Sequence, residues 1–396
     1  MPHAASRKAE LVLLVALCLF LPLYEAPKNV LWVSYTGIWL ANRARVGDFG
    51  GAWDLWDTLI AAWIASPFVV AIFAGLHGSE WRGSVDLVRY GGLLWMAKRS
   101  RYSAGETRSV LYALFVSVVI GLAMAFVNLW SGKNDVVEIN SVGHVSHTSV
   151  YVAILLGAAA AWCFAEWRLP AAALTIFLLG ALVTAASRGA VGAGLVTLVV
   201  LGAAWWPRSR KPLAVAALTT VIAIAAALGS NADVIRKHQA NVDRNNVLSS
   251  RDAIWRTALA AWQRYPLFGV GVDNYPRITA QQVREWQTEA GKSFDASRYF
   301  FISHAHSLYL NTLAERGIVG TAVLVAVLLA WLVFLVRNRP RRQSSADDAL
   351  LWGCAASAWL VSVIAGAVNT TLHHEHGILA SLFLGLWLAR LKQHIR

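Results

Sequence analysis

The sequence is poor in charged residues and in cysteine, and both shortages narrow the possible classes of protein. Charged side chains make up 14% of its 396 residues, whereas soluble domains carry about 25%. The three cysteines, Cys18, Cys163 and Cys354, all lie inside apolar runs. This placement argues against a disulfide framework and against a cysteine-based metal site.

Several motifs of familiar catalytic chemistry are also missing. The sequence contains no Gly-x-x-x-x-Gly-Lys-Ser/Thr, no Gly-x-Gly-x-x-Gly and no Gly-x-Ser-x-Gly, and these are the patterns of nucleotide binding and of a serine nucleophile. No Asp-x-Asp occurs in the segments expected on the outer face. Metal-dependent sugar transfer needs carboxylates to hold the cation that neutralises a diphosphate. Without such carboxylates, arginine would have to supply the positive charge for a reaction of this kind. We therefore predict neither a cofactor nor a metal.

Long apolar runs recur along most of the chain, in which 57% of the residues are hydrophobic. A helix needs about 20 apolar residues to cross a bilayer, although shorter spans occur. We predict an all-α polytopic membrane protein with about 12 transmembrane helices, and the 19 tryptophans fit interfacial belts. The predicted spans are 11–24, 28–42, 56–76, 84–97, 108–130, 148–166, 169–187, 189–206, 212–230, 317–337, 348–369 and 376–391.

The positive charge is distributed as a membrane orientation requires. Much of the net charge of +13 lies in short basic clusters beside the spans, which indicates cytoplasmic loops rather than nucleic-acid binding. Segment 84–97 carries Asp86 and Arg89 and alone resembles an interfacial helix, but it must cross if the clusters at Arg43 and Lys98 are both inside. Both termini are then cytoplasmic. The predicted outer segments are 131–147, the turn at Arg188, 231–303 and 370–375.

A long polar loop divides the chain into three parts. Residues 1–230 contain the first nine predicted spans, residues 231–316 form a large outer loop with helices of its own, and residues 317–396 contain the last three spans. Long loops in compact proteins usually have a function. We therefore expect the functional segment in the middle part.

Two arginines at predicted outer positions are candidates for binding an anion. Arg188 lies where one span ends and the next begins, and an arginine at membrane depth needs a partner or a wet cavity. Arg251 falls in the first turn of a helix predicted to start after Ser250, where free N–H groups and the helix dipole favour phosphate. Arg256, one turn later, is a second candidate contact. Each arginine could belong to a clamp that binds phosphate in a bidentate manner. The alternative for Arg188 is an interfacial arginine that snorkels to the membrane surface, and the alternative for Arg251 is a solvated loop helix.

The segment 301–320 leads from the outer loop into a span and contains His304 and His306. Ser303 predicts the start of a helix, which would place His306 in the first turn. There the positive dipole end keeps an imidazole neutral, as a general base requires. Residues two apart face different sides of a helix, so only one histidine is expected to face a pocket. The alternative is a pair of interfacial histidines that bond only the backbone.

Histidines also crowd two other outer segments. His147 stands with His144 at the start of the span 148–166, and His373 lies in the His-rich turn 372–377. Zinc is conceivable there because imidazole and carboxylate bind it, but no second ligand cluster occurs at metal-site spacing. We predict a pocket wall or a partner contact instead.

Together these motifs resemble the O-antigen ligase/polymerase superfamily. The resemblance is strongest over roughly 180–335, and within the group the chain looks most like a lipopolysaccharide O-antigen ligase. The motifs are Ser-Arg-Gly at 187–189, Arg-Asp-x-x-Trp from Arg251, Pro-Leu-Phe-Gly-Val-Gly from Pro266 and Ala-His-Ser-Leu-Tyr-Leu-Asn-Thr-Leu-Ala-Glu-Arg-Gly from Ala305.

The resemblance implies a membrane glycosyltransferase of GT-C-like architecture, acting at the periplasmic face of a bacterial inner membrane. It implies transfer of a glycan from undecaprenyl diphosphate to the lipid A–core acceptor, with inversion and without nucleotide or metal. Matched to the family, Arg188 and Arg251 hold the diphosphate and His306 is the general base. The expected partners are these two substrates and membrane lipids. Further substrate contacts are predicted at Arg256, His304, His147 and His373.

Three alternatives stay open at this point. An O-antigen polymerase would use a similar donor with an acceptor glycan still on its own carrier, and a protein-glycosylating oligosaccharyltransferase would use a protein acceptor. A non-enzymatic transporter of lipid-linked sugars belongs to a different class. Transporters often contain internal repeats, and we find none in this sequence.

Overall fold

The computed structural model describes residues 4–185, 187–205, 210–230 and 250–394. Within these residues there are helices and no strands, and one isolated bridge joins Ile139 to Gly143, so the all-α prediction is confirmed. The helices are α1 (Ala4–Phe20), α2 (Glu25–Val46), α3 (Leu55–Ile72), α4 (Glu80–Arg99), α5 (Ala104–Trp130), α6 (Val145–Glu166), α7 (Leu169–Thr184), α8 (Arg188–Ala204), α9 (Lys211–Ser230), α10 (Arg251–Arg264), α11 (Ala280–Glu289), α12 (Leu308–Arg337), α13 (Ala346–Ala365) and α14 (His374–His394), with 3₁₀ turns at Tyr275–Arg277 and Ala296–Arg298.

Helices α1 to α9 and α12 to α14 overlap the predicted spans. Five of them, α3, α5, α6, α12 and α13, are long and apolar enough to cross a membrane by length and composition, and α7 and α8 are apolar but shorter. These features are those of a polytopic membrane protein. The total of twelve crossings stays a prediction.

Helix α6 is the central helix of the described structure. Nearly all of its residues are buried, and it packs against α7, α8, α13 and α14. Small residues allow this close packing, as where Gly157 leaves no room for a Cβ beside Ser357 of α13. His147 stands in the first turn of α6, so it lies at the end of the best-packed helix.

The predicted cytoplasmic segments meet at one end of the helices through ion pairs. Lys98, at the end of α4, lies 2.7 Å from Asp54 and 2.8 Å from Asp57 at the start of α3. Helices α3 and α4 therefore form an antiparallel hairpin, as a crossing by both requires. Further pairs at this end are Arg7–Glu106 (2.9 Å), Arg108–Asp347 (2.6 Å) and Arg390–Asp348 (2.7 Å).

Cysteine labelling should place the outer segment on the periplasmic side. The native cysteines are all buried, so Ala290→Cys and Gln343→Cys, at two exposed positions, can be labelled with little background. A membrane-impermeant maleimide, added to cells with a permeabilised outer membrane, should label position 290 and not position 343, because the basic cluster 337–342 is expected inside. Labelling at 343 alone would show the opposite orientation.

The described part of the outer loop, residues 250–316, has a small hydrophobic core of its own. It is contributed by α10, α11 and the chain between and after them. Within this core the Tyr275 hydroxyl donates a hydrogen bond to the Ile254 carbonyl oxygen at 2.9 Å. The division of the chain at this loop stays a prediction, and residues 231–249 of the loop lie outside the described residues. Its members include Ile254, Ala258, Val270, Tyr275, Val283, Trp286 and Ala305.

Gly317 breaks α12 between its outer part and its membrane part. Its φ of 59° and ψ of −160° are open to glycine but strained for other residues. The segment Pro266–Gly271 runs alongside and satisfies the backbone groups that the break frees. Ile318 N–H donates to the Pro266 carbonyl at 2.9 Å, and the Ala314 carbonyl accepts from Val270 at 2.9 Å. These hydrogen bonds give a structural reason for the motif that begins at Pro266 and the motif that ends at Gly317 to occur together.

Candidate active site

Predicted outer segments enclose a cavity of about 560 Å³, which we call the outer cavity, at the end of the helices away from the ion-paired cluster. Its wall comes from α4, the start of α6 and the segments 272–276, 302–316 and 370–374. The structure thus brings together four of the predicted site residues, His147, His304, His306 and His373. Arg188, Arg251 and Arg256 are not among the described residues that line it.

The backbone around His306 differs from the prediction. Helix α12 begins at Leu308, with Ser307 as N-cap, and not after Ser303. His306 precedes that cap in a left-handed conformation with φ 47°. Because His304 and His306 are not on a helix, both line the cavity, with ring centroids 4.3 Å apart. The expectation that only one of them faces the pocket was therefore wrong.

Asn311 holds the histidine segment in place. Its side-chain oxygen accepts from the Ala305 N–H at 2.9 Å, and its amide nitrogen donates to Glu315 at 3.0 Å. The Ala305 backbone lies between the two histidines, so Asn311 is a positioning residue for both. Sequence reasoning missed this role, although Asn311 belongs to the motif that carried the resemblance.

Both histidines are held in the neutral form. Burial lowers the pKa of His306, and the neighbouring Arg251 charge lowers it further. Burial and then the charge of His306 lower the pKa of His304 to about 4. His306 Nδ1 and His304 Nε2 are buried without a hydrogen-bond partner among the described residues. A neutral imidazole with an unused ring nitrogen can accept a proton from a substrate placed in the cavity.

The turn 366–369, after α13, connects the histidine segment to the two predicted arginines. Leu308 N–H, at the start of α12, donates to the carbonyls of Gly366 (2.8 Å) and Asn369 (3.0 Å). Arg251 Nε, at the start of α10, donates to the Val368 carbonyl at 3.1 Å.

The start of α8 reaches the same turn, because Gly189 lies so close to the Val368 side chain that an added Cβ would be 2.6 Å from it. The first residue of α8 is Arg188. Three helix N-termini, those of α8, α10 and α12, therefore meet around one turn, and the N-terminal end of a helix carries a partial positive charge.

Arg188 and Arg251 add two full positive charges to these helix ends. The pKa of Arg251 is lowered, first by burial and then by the charge of Arg188, so the two guanidinium groups repel each other. Two positive charges at neighbouring helix N-termini favour the binding of an anion such as phosphate. Arg251 is the first helical residue, as predicted, although Ser250 has a left-handed φ of 61° rather than extended N-cap geometry. Arg256 is exposed, and its role stays a prediction.

A match to a known family covers the part of the chain that builds most of this arrangement. Residues 171–325 match the family model described as O-antigen ligase. The match supports an assignment to the O-antigen ligase family. The matched part, about two fifths of the chain, includes Arg188, Arg251, His304 and His306. It confirms the family resemblance that was strongest over roughly 180–335.

Members of the O-antigen ligase family are glycosyltransferase-like ligases and polymerases. An uncharacterized protein of Haemophilus influenzae (strain Rd) is 28% identical over 109 residues. The alignment covers 28% of this chain and 25% of that protein. The chain therefore spans about a quarter of the length of this relative, whose description names no activity.

Proposed function

We propose that this protein is an O-antigen ligase that transfers a glycan from undecaprenyl diphosphate to the lipid A–core acceptor at the periplasmic face of the bacterial inner membrane. The observation that carries the proposal is the meeting of Arg188 and Arg251, at two helix N-termini, beside a cavity that holds neutral His306. An anionic leaving group and a proton acceptor are what displacement from a sugar diphosphate requires.

The transfer is a single displacement. The acceptor hydroxyl oxygen forms a bond to the anomeric carbon of the first sugar, while the bond from that carbon to the diphosphate oxygen breaks. Undecaprenyl diphosphate leaves with the electron pair, and the two arginines stabilise the negative charge that develops on it. His306 accepts the hydroxyl proton on a ring nitrogen and later releases it to solvent. One displacement inverts the anomeric centre.

The other predicted contacts fit the acceptor side of the outer cavity. His304, His147 and His373 line the same cavity as His306. His304 presents a ring nitrogen to polar sugar groups, and His147 and His373 form the wall beside it. Asp86 of α4 lines it as well and could accept hydrogen bonds from hydroxyls. Arg256, exposed on α10, is proposed to contact the donor glycan outside the cavity.

Transfer by the purified protein should proceed in excess EDTA with lipid A–core as acceptor. The reason is that arginine charges, rather than a cation, neutralise the diphosphate. The measurement uses a defined glycan on undecaprenyl diphosphate and compares three acceptors: lipid A–core, a second lipid-linked glycan and a periplasmic protein. Formation of the lipid A–core product by mass spectrometry is the expected result.

Each other outcome of this assay contradicts a stated part of the proposal. Activity lost in EDTA and restored by Mg²⁺ or Mn²⁺ would show that arginine alone does not neutralise the leaving group. Preference for the second lipid-linked glycan would identify a polymerase, and preference for protein an oligosaccharyltransferase. Movement of the donor across vesicles without a new glycosidic bond would identify a transporter.

A further inference from the structure

Three histidines from two separate segments converge on one point of the outer cavity wall. His147 comes from the first turn of α6, and His373 and His374 come from the turn before α14 and its first residue. One ring nitrogen of each lies within 4.8 Å of a ring nitrogen of the other two. The ring centroids are 5.2 Å apart for His147–His373, 5.1 Å for His147–His374 and 3.7 Å for His373–His374. The sequence shows only the adjacent pair, because the third member is distant along the chain.

This spacing suits a small transition-metal ion. Zinc binds imidazole nitrogen at about 2.0–2.1 Å in tetrahedral geometry, which sets ligand atoms about 3.4 Å apart. Binding an ion therefore requires the three nitrogens, which lie within 4.8 Å of one another, to move closer through rotation of the imidazole rings about χ1 and χ2. Three histidines with one position left to solvent form a known zinc ligand set.

A fourth histidine provides the outer support that such a ligand needs. His376 Nε2 lies 3.1 Å from His147 Nδ1, and His376 is 1% exposed. With the proton on His147 Nδ1 donated to His376, His147 Nε2 keeps the lone pair that binds a metal. Histidine ligands are commonly oriented by a hydrogen bond at their other ring nitrogen.

The backbone directs His373 and His374 to the same side although they are neighbours in sequence. Leu372 (φ 56°) and His374 (φ 48°) are both left-handed, an uncommon conformation for residues with a side chain. Glu375 is held elsewhere by an ion pair with buried Lys28, which also pairs with Glu25 at 2.6 Å. The start of α14 is thereby anchored to α2, and Glu375 is not a competing ligand.

All three histidines line the outer cavity. His374 is exposed and His373 is half-buried, whereas His147 is buried with 7% exposure. An ion can therefore enter through the outer cavity and reach all three nitrogens. Soft or borderline divalent ions favour imidazole, whereas Mg²⁺ favours oxygen.

We propose that His147, His373 and His374 form a binding site for one zinc ion, or a similar transition-metal ion, that ties the 370–374 turn to α6. The site is separate from the two arginines and from His306, and it does not depend on the transfer reaction. Its expected effect is to fix one wall of the outer cavity. The ion would be held by the three histidines and not by Arg188, Arg251 or His306, so the site is additional to the proposed catalytic groups.

Metal content of the full-length, tag-free protein tests this inference. Protein stripped with EDTA, re-equilibrated with micromolar Zn²⁺ and desalted should contain about one zinc per chain by plasma mass spectrometry. His374→Gln and His373→Gln should each weaken zinc binding by at least ~100-fold, because each loses a ligand rather than a supporting group. His77→Gln is the matched control, since His77 is also an outer, exposed histidine but lies outside the cavity lining, and its zinc content should equal the wild type.

The absorption spectrum of the cobalt-loaded wild-type protein tests the site without a substitution that could disturb folding. Wild-type protein loaded with Co²⁺ should give the intense d–d absorption of a tetrahedral ion with nitrogen ligands, and Zn²⁺ should displace it and raise Tm. A weak octahedral spectrum, no zinc retained by the wild type, or equal zinc retained by His374→Gln and wild type would each overturn the proposal. Equal retention of Mg²⁺ and Zn²⁺ would overturn it too, because imidazole does not favour Mg²⁺.

Discussion

His306→Ala should reduce transfer by about 10²–10⁴-fold, the usual contribution of a general base, while folding and donor binding stay nearly intact. His306 lies in the outer cavity with a buried, unpartnered ring nitrogen among the described residues. The acceptor proton moves only in the transition state, so the loss should appear in kcat and not in the KM for the donor. Initial rates at varied donor concentration, with Tm as a check of folding, measure both.

The pH profile separates a base from a merely structural residue. Burial and the Arg251 charge lower the pKa of His306, so its imidazole stays neutral when the pH falls through the ordinary value of about 6.5. The wild-type rate should therefore be flat above that pH and decline only below it, as the imidazole becomes protonated. In His306→Ala this decline should disappear along with most of the rate.

His304→Ala is the matched control for this variant, because the two rings are 4.3 Å apart and line the same cavity. We expect the smaller effect at His304, because burial and the charge of His306 lower its pKa to about 4 and because His306 is the histidine beside Arg251, which is proposed to hold the leaving group. An inactive His304→Ala with an active His306→Ala would transfer the catalytic role to His304. Full activity in both, with both proteins folded, would contradict general-base catalysis by either.

The positions of the helices could be predicted from local sequence, but the residues at which they begin could not always be predicted. Apolar runs of span length place α3, α5, α6, α12 and α13, because such runs need no distant partner to be recognised. The start of α12 was wrong because Ser303 and Ser307 are both acceptable N-caps. The choice is made by the turn 366–369, whose carbonyls accept from the Leu308 N–H. A contact with a segment so distant in sequence is invisible to a local pattern.

The site shows the same division between local and distant information. The first-turn position of Arg251 could be predicted, because Ser250 is a good N-cap and Pro266 and Gly269 mark the end of the same helix. The meeting of His147 with His373 and His374 could not, because it depends on how α6 packs beside α14. His147 and His373 were each predicted as site residues, but their convergence with His374 depends on helix packing and was not predicted.

The arginine variants should lose donor affinity as well as rate, which distinguishes them from the histidine variant. Arg188→Lys and Arg251→Lys keep the charge but lose the planar fork that grips two phosphate oxygens. The diphosphate is charged both before and during the reaction. Each lysine variant should therefore bind the donor less tightly in both the ground state and the transition state. By analogy with removal of one oxyanion donor, kcat should fall by about 10²–10³-fold, with a higher KM for the lipid-linked donor.

Arg264→Lys is the control for the arginine series. Arg264 ends the same helix that begins with Arg251, but it is exposed and pairs with Glu289 at 2.9 Å. Its replacement should leave kcat and KM near the wild-type values, because surface ion pairs contribute little. If Arg188→Lys and Arg251→Lys behaved like Arg264→Lys, the two charges at the helix N-termini would not hold the diphosphate. If they lowered kcat with an unchanged donor KM, the arginines would act on the departing charge alone, because an arginine that binds the resting diphosphate must affect both.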